Sequence, residues 1–205
     1  MTPSRTAVVA GNVYDKYATT HPVARRLQRG FEQAMDALLD LAGEPRRILE
    51  VGCGEGHVTA RLQRRFPAAQ VLGTDLSPEI VAEARARHPE LRFECHSAYD
   101  APALGAFDLV VACEVFEHLD DPVRALDALA GAGRIVFASV PREPLWRVLN
   151  VARGRYLSAL GNTPGHVQHW SRGAFLGFLA TRLELLAVRA PTPWTMAIGR
   201  SRERA

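Results

Sequence analysis

Between residues 47 and 140 the chain carries a succession of short apolar runs, "RILEVG", "QVLGTD", "LRFECHS", "FDLVVACE" and "GRIVFASV", the first four separated by stretches of helical character. Near-continuous apolar strands are buried on both faces, which calls for a mostly parallel sheet with helices on either side. Two of the connecting helices carry their own start signals, Ser77 before Pro78 and Asp121 before Pro122, each an N-cap residue followed by proline at the first helical position. Ahead of the first run, "HPVARRLQRGFEQAMDALLDLAG" places Val23, Leu27, Phe31, Ala34, Leu38 and Leu41 at helical spacing and stops at Gly43. At the far end "RLELLAVRA" and "PWTMAIGRS" are strand-like and close enough to pair antiparallel at a sheet edge. With 205 residues, 47% of them hydrophobic, the chain suffices for one well-filled core, so a single domain is expected.

Composition excludes several classes. Cys53, Cys95 and Cys113 are scattered and odd in number, which fits a reduced, cytoplasmic setting and no disulfide framework. No apolar window approaches the length of a membrane span, so no transmembrane segment is expected. A net charge of +3, with Lys16 as the only lysine, is weak for a nucleic-acid binder, where a concentrated basic face is the usual footprint.

In an open parallel sheet the ligand sits beyond the carboxyl ends of the strands, at the point where strand order reverses. The stretch "LEVGCGEGH" falls there, after the first strand and at the opening of a helix, with Gly52, Gly54 and Gly56 able to bring backbone close to a ligand. His57 occupies the third glycine position of a G-x-G-x-x-G fingerprint, which counts against a dinucleotide, and no Gly-Lys-Ser/Thr follows, which excludes a P-loop. Asp75, nineteen residues after Gly56, ends the second strand, where a carboxylate can accept hydrogen bonds from both hydroxyls of a ribose.

In order and spacing, "ILEVGCGEG", "VLGTDLSPEIVAEAR" and "FDLVVACEVFEHLDDPVRAL" resemble the successive motifs of class I S-adenosylmethionine-dependent methyltransferases, over roughly residues 45 to 140. The resemblance implies a Rossmann-like, doubly wound, mostly parallel seven-stranded sheet with an antiparallel C-terminal strand. It divides the domain into an N-terminal lid and helix (1–43), a cofactor-binding core (45–140), a substrate cap insert (142–172) and a C-terminal strand pair (182–200). It also implies that Glu50 and the Gly52, Gly54 and Gly56 loop face the methionine part of S-adenosyl-L-methionine, Asp75 the ribose and Leu76 the adenine, with Cys113 in the wall beside the sulfonium. Relatives often carry an acidic residue after the third strand for the adenine amino group. This chain reads "CHSAYD" there, leaving Ser97 or Asp100 as the substitute.

The stretch "CEVFEH" brings Glu114, Glu117 and His118 into an i, i+3, i+4 relation that shares one face if the segment is helical. The pattern resembles two metal-using branches of the family, the ubiquinone-type O-methyltransferases and the methyltransferases of a 3'-terminal RNA ribose. By that resemblance "GHVQHWSRGAF" returns a further histidine, His166 or alternatively His169, to complete a site for a divalent metal, Mg, Mn, Fe or Zn. The competing reading needs no metal: the glutamates solvate a helix end and His118 acts as general base. His57 is expected to be structural, and His21, His88 and His96 match no pattern and are expected to face solvent.

The flanks decide the substrate. "VYDKYATTHPVARRL" resembles the lid of related enzymes, with Tyr14 or Tyr17 closing over the cofactor and Arg26 or Arg25 meeting its carboxylate, although an ordinary amphipathic helix reads equally well. "REPLWRVLNVARGRYLSALGN" mixes Leu145, Trp146, Leu149, Tyr156 and Leu157 with arginines, as a cap over an apolar pocket or, through 142–160, a peripheral membrane contact. The expected function is metal-assisted O-methylation of a small molecule with neighbouring hydroxyls, catechol or polyketide-like. An RNA 2'-O-methyltransferase is the alternative, disfavoured by the low charge and by "SVPREP" where RNA-directed relatives tend to carry an asparagine-containing turn. Oligomeric state is not legible.

Overall fold

The computed structural model describes residues 21–202, so Tyr14, Tyr17 and the start of the lid lie outside the described residues. Helix α1 (Pro22–Leu39) opens with proline in its first turn and hands over to a 3-10 turn, Asp40–Ala42, which Gly43 ends at φ +69°. There follow β1 (Arg47–Val51), α2 (His57–Arg65), β2 (Gln70–Asp75), α3 (Pro78–Arg87) and β3 (Arg92–Cys95). Then come β4 (Phe107–Cys113), α4 (Pro122–Ala132), β5 (Gly133–Pro141), α5 (Leu145–Ala152), α6 (Arg172–Ala180), β6 (Leu183–Arg189) and β7 (Trp194–Ser201). Both predicted caps form: the Ser77 side chain accepts from the Ile80 N–H and that of Asp121 from the Arg124 N–H.

The sheet order is β3-β2-β1-β4-β5-β7-β6, parallel from β3 to β5 and antiparallel in β7 and β6. Of the C-terminal pair only β6 forms the edge, because β7 inserts between it and β5. Side chains alternate across the sheet as a pleated strand requires. Along β4, Leu109 and Val111 enter the core beneath α1 with Met35, Leu38 and Phe137, while Val110 and Ala112 enter the opposite core with Phe116, Leu126 and Phe175. The connection from β3 to β4 is a 3-10 segment, Ala98–Leu104, rather than the expected α-helix. Pro102 inside it has no N–H to give to a helical ladder.

The insert after β5 is tied to itself by one buried side chain. Asn150 Nδ2 donates to the Gly161 carbonyl (2.9 Å) and to Thr163 Oγ1 (3.2 Å), and Trp146 Nε1 donates to the same hydroxyl (2.9 Å). Gly161, at φ +78°, lets the turn press against α5, since a Cβ there would lie 2.3 Å from the Arg147 carbonyl oxygen. Trp146 and Leu149 line the cavity described below, whereas Val148, Val151, Leu157 and Leu160 are exposed. Among the described residues no helix is long and apolar enough to cross a membrane.

Entry into β1 is held by one carboxylate oxygen: Asp108 Oδ2 accepts from the backbone N–H groups of Arg46 (2.8 Å) and Arg47 (3.0 Å). These bonds hold the Asp108 carboxyl below its ordinary value of 3.8. A depressed carboxylate stabilises the fold above its unfolded pKa and loses that contribution as pH falls through the folded one. Asp108→Ala should therefore cost about 1 kcal/mol at pH 7, below the roughly 1.5 to 3 kcal/mol of a buried charged hydrogen bond because the site is solvated. Urea denaturation should show that difference shrinking below about pH 4.

Candidate active site

The carboxyl ends of β1, β2 and β4 open into a cavity of about 1050 Å³, roofed by α1 on one side and by the insert on the other. Its floor is the loop from Val51 to His57, where Gly52, Gly54 and Gly56 stand at φ +67°, +52° and +86°. No other residue fits the first of these, because a Cβ on Gly52 would come within 2.6 Å of Val115 Cγ2. The loop is pinned by Cys53 N–H donating to the Thr74 carbonyl (2.9 Å) and Gly54 N–H to Asp75 Oδ2 (3.1 Å). The other Asp75 oxygen accepts from Ser77 N–H (3.1 Å). Each carboxylate oxygen keeps a further lone pair, so Asp75 retains acceptor capacity toward the cavity it lines.

Glu50 also reaches this cavity although it is only 1% exposed. The Thr59 hydroxyl donates to Glu50 Oε2. Burial, opposed by that hydrogen bond and reinforced by the charge of Asp75, pushes the Glu50 carboxyl up to about 8. Burial likewise pushes the Cys53 thiol upward, which makes it a poor nucleophile.

At the substrate end the expectation of one helical face through "CEVFEH" fails in part. Glu114 sits at φ +55°, before the 3-10 turn Phe116–His118, with its N–H bonded to the Ser139 carbonyl (3.0 Å). The i, i+3, i+4 relation therefore does not hold from Glu114, which lines the cavity but stands outside the group that converges. That group is Glu117, His118 and His166, whose ligand-type atoms lie within 4.8 Å of one another. A returning strap places the second histidine: Val167 and Gln168 N–H both donate to the Glu117 carbonyl (2.9 and 3.0 Å), and Gln168 Nε2 to that of Leu119 (3.1 Å). The His118 and His166 rings meet edge to face at 4.9 Å, and His166 stacks on Trp146 at 6.3 Å. His118 Nδ1 lies 2.9 Å from the Gly165 carbonyl oxygen. A carbonyl only accepts, so Nδ1 carries the proton and a neutral His118 keeps Nε2 as a lone pair. His169, the alternative, is exposed and outside the group.

Other expected residues divide. Leu76, Ser97 and Cys113 line the cavity. Arg25 and Arg26 do not: the wall contributed by α1 consists of Val23, Ala24, Leu27, Gln28 and Phe31, and both arginines are exposed. Asp100 is consumed in a capping box with Ser97 and is absent from the lining. Among the histidines, His88 and His96 depart from expectation. The ring of His57 meets Arg87 Nη1 at 2.7 Å, and half-buried His88 packs near His57 and Phe93. His96 faces the cavity instead of bulk solvent. Missed altogether was the aromatic wall in which Phe31 meets Trp194 at 5.0 Å and Trp194 meets Trp146 at 6.0 Å. These rings come from α1, β7 and the insert, and no local signal joins them.

A glycine loop at the switch point, a carboxylate ending the neighbouring strand and a deep cavity between them define a site for a nucleoside-bearing cofactor. Residues 49–134 match the methyltransferase domain family. Trans-aconitate 2-methyltransferase of Methylobacterium radiotolerans is 35% identical over 126 residues, covering 58% of this chain and 48% of that protein. Ubiquinone biosynthesis O-methyltransferase of Xanthomonas oryzae pv. oryzae is 34% identical over 136 residues, 62% and 55% of the two chains. The chain thus spans about half the length of these relatives. The N-terminal domain of EvdMO1 with bound SAH superposes at a TM-score of 0.62, with 20% identity over 96% of this chain and 92% of the other. Over residues 49–134 the chain is thus similar to methyltransferase domains, and its fold is that of the EvdMO1 domain.

Glu50 should leave a signature in stability. The folded chain holds its proton up to about pH 8, whereas the ordinary value is 4.5, so between the two the unfolded state binds fewer protons. Stability conferred by this group therefore falls as pH rises through that window. Glu50→Gln stays neutral throughout, and the slope of urea-midpoint against pH between 5 and 7.5 should flatten relative to the parent chain.

Proposed function

We propose that this domain transfers a methyl group from S-adenosylmethionine to an oxygen of a small molecule bearing neighbouring hydroxyls, at a site where Glu117, His118 and His166 hold a divalent cation. The observation that carries this reading is the disposition of His118. Metal-ligating histidines usually donate their second ring N–H to a carboxylate or carbonyl, which fixes tautomer and ring orientation. Here the Gly165 carbonyl accepts that N–H, which leaves Nε2 as the lone pair that His118 can offer to the group it forms with Glu117 and His166. One carboxylate with two imidazoles suits Mg, Mn, Fe or Zn. A cation held there would lower the pKa of a substrate hydroxyl and align its oxygen, so that no strong protein base is required.

The remaining roles belong to the chain itself. Asp75 binds the ribose hydroxyls, the Gly52–Gly56 backbone lets the methionine part approach, and Leu76 covers the adenine. Glu114 faces the substrate side of the cavity, and the Phe31, Trp146 and Trp194 wall gives an apolar ring a place to lie and excludes water from the reacting oxygen. That one relative is a ubiquinone biosynthesis O-methyltransferase supports transfer to oxygen.

Cofactor binding is tested first. Calorimetry should show the chain binding S-adenosylmethionine or its demethylated product, and Asp75→Ala should weaken binding by about 1.5 to 3 kcal/mol per lost hydrogen bond. Binding of NAD without either of these would overturn the reading. Metal dependence is tested by exhaustive chelation and separate add-back of Mg, Mn, Fe and Zn with a catechol substrate. Activity should fall about 100-fold or more on chelation and return with one of the ions, and Glu117→Gln and His166→Ala should each reproduce the loss at saturating cofactor. Full activity after chelation, with only His118→Ala inactive, would make His118 Nε2 a general base instead.

A further inference from the structure

We propose that His96 reads the adenine of the cofactor, its Nδ1 accepting a hydrogen bond from the exocyclic amino group, with Glu94 fixing the tautomer that makes this possible. The inference rests on the reading of the cavity as an S-adenosylmethionine site. Of the two residues from which an acceptor would be expected, Asp100 accepts through Oδ2 from Ser97 N–H (3.1 Å), and Ser97 Oγ, which accepts from Tyr99 N–H (3.4 Å), keeps one lone pair. Asp100 is exposed and points its carboxylate into that cap, outside the cavity lining.

His96 stands one residue earlier, where β3 has just ended. Its N–H donates to the Asp75 carbonyl (3.0 Å), so its backbone is fixed to the residue assigned to the ribose. Its ring is half-buried and lines the cavity beside Leu76 and Ala98. Nε2 lies 3.2 Å from Glu94 Oε2. An ionised carboxylate only accepts, so in the neutral imidazole the proton resides on Nε2 and Nδ1 is an acceptor. Glu94 is kept ionised from its other side, where Arg92 Nε donates to Oε1 at 2.9 Å. That bond, with a smaller share from His96, holds the Glu94 carboxyl below the usual range. The chain Arg92–Glu94–His96 thus terminates in an acceptor nitrogen on a residue that lines the cavity. An adenine amino group, a pure donor, matches it. A hypoxanthine, with an oxo group in the same place, sets acceptor against acceptor.

The experiment compares S-adenosylhomocysteine with S-inosylhomocysteine, in which oxygen replaces the amino group, by calorimetry on the full chain. The parent chain should prefer the adenosyl compound by roughly 100-fold or more, since a site built to pair a polar group strongly rejects the analogue that leaves it unpaired. His96→Leu should weaken S-adenosylhomocysteine by about tenfold, leave S-inosylhomocysteine nearly unchanged, and so reduce the preference about tenfold. Glu94→Leu, which frees the tautomer while keeping the imidazole, should narrow the preference to a lesser degree. Circular dichroism of both variants confirms that the comparison concerns folded protein. An unchanged preference in folded His96→Leu overturns the assignment of His96 while leaving the cofactor site intact. Failure of the parent chain to bind S-adenosylhomocysteine at all overturns the cofactor reading, and this inference with it.

Discussion

Asp75 is the carboxylate on which the organisation of the site turns. Its two oxygens accept the N–H of Gly54 from the loop after β1 and of Ser77 from the cap of α3. Two successive connections at the carboxyl end of the sheet, after β1 and after β2, are thereby held together by one side chain at the end of β2. The glycine loop can hold its left-handed turns against Val115 because it is fixed at this end and, through Cys53 N–H, at Thr74. The group proposed for a cofactor's ribose thus also builds the cavity wall beside it, and is structural before any ligand arrives.

The substrate end is organised by a different device. Glu117 contributes its side chain to the cluster and its carbonyl to the returning strap, so that one residue sets both its own position and that of His166. Gly165, next in sequence to His166, in turn orients His118. Each histidine is positioned by backbone from the other's segment, which is a rigid way of converging side chains far apart in the chain.

How much of this was legible depended on whether the signal was local. The strands of the parallel core, the Ser77 and Asp121 caps, the glycine loop and Asp75 were readable because burial on both faces and capping chemistry leave marks within a few residues. His166 was placed through family resemblance and the structure brings it to His118. Glu114 was misplaced because a helical spacing rule was applied to a segment whose first residue adopts a left-handed conformation. Arg26 matches a lid residue by resemblance, but the face of α1 that turns to the cavity carries no charged residue. His96 was dismissed because its partner Glu94 is two residues away, a spacing that brings side chains together only on the same face of an extended strand. The Phe31, Trp146 and Trp194 wall belongs wholly to tertiary structure.

The strap that returns to Glu117 has a consequence for how such a domain can diversify. Because the insert is stitched internally by Asn150 and Thr163 and rejoins the core through backbone bonds at residues 167 and 168, its exposed positions can change without moving Glu117. Main-chain donors are the same whatever residue carries them. The segment therefore behaves as an exchangeable cassette, in which the shape of the cavity roof is inherited separately from the floor beneath it.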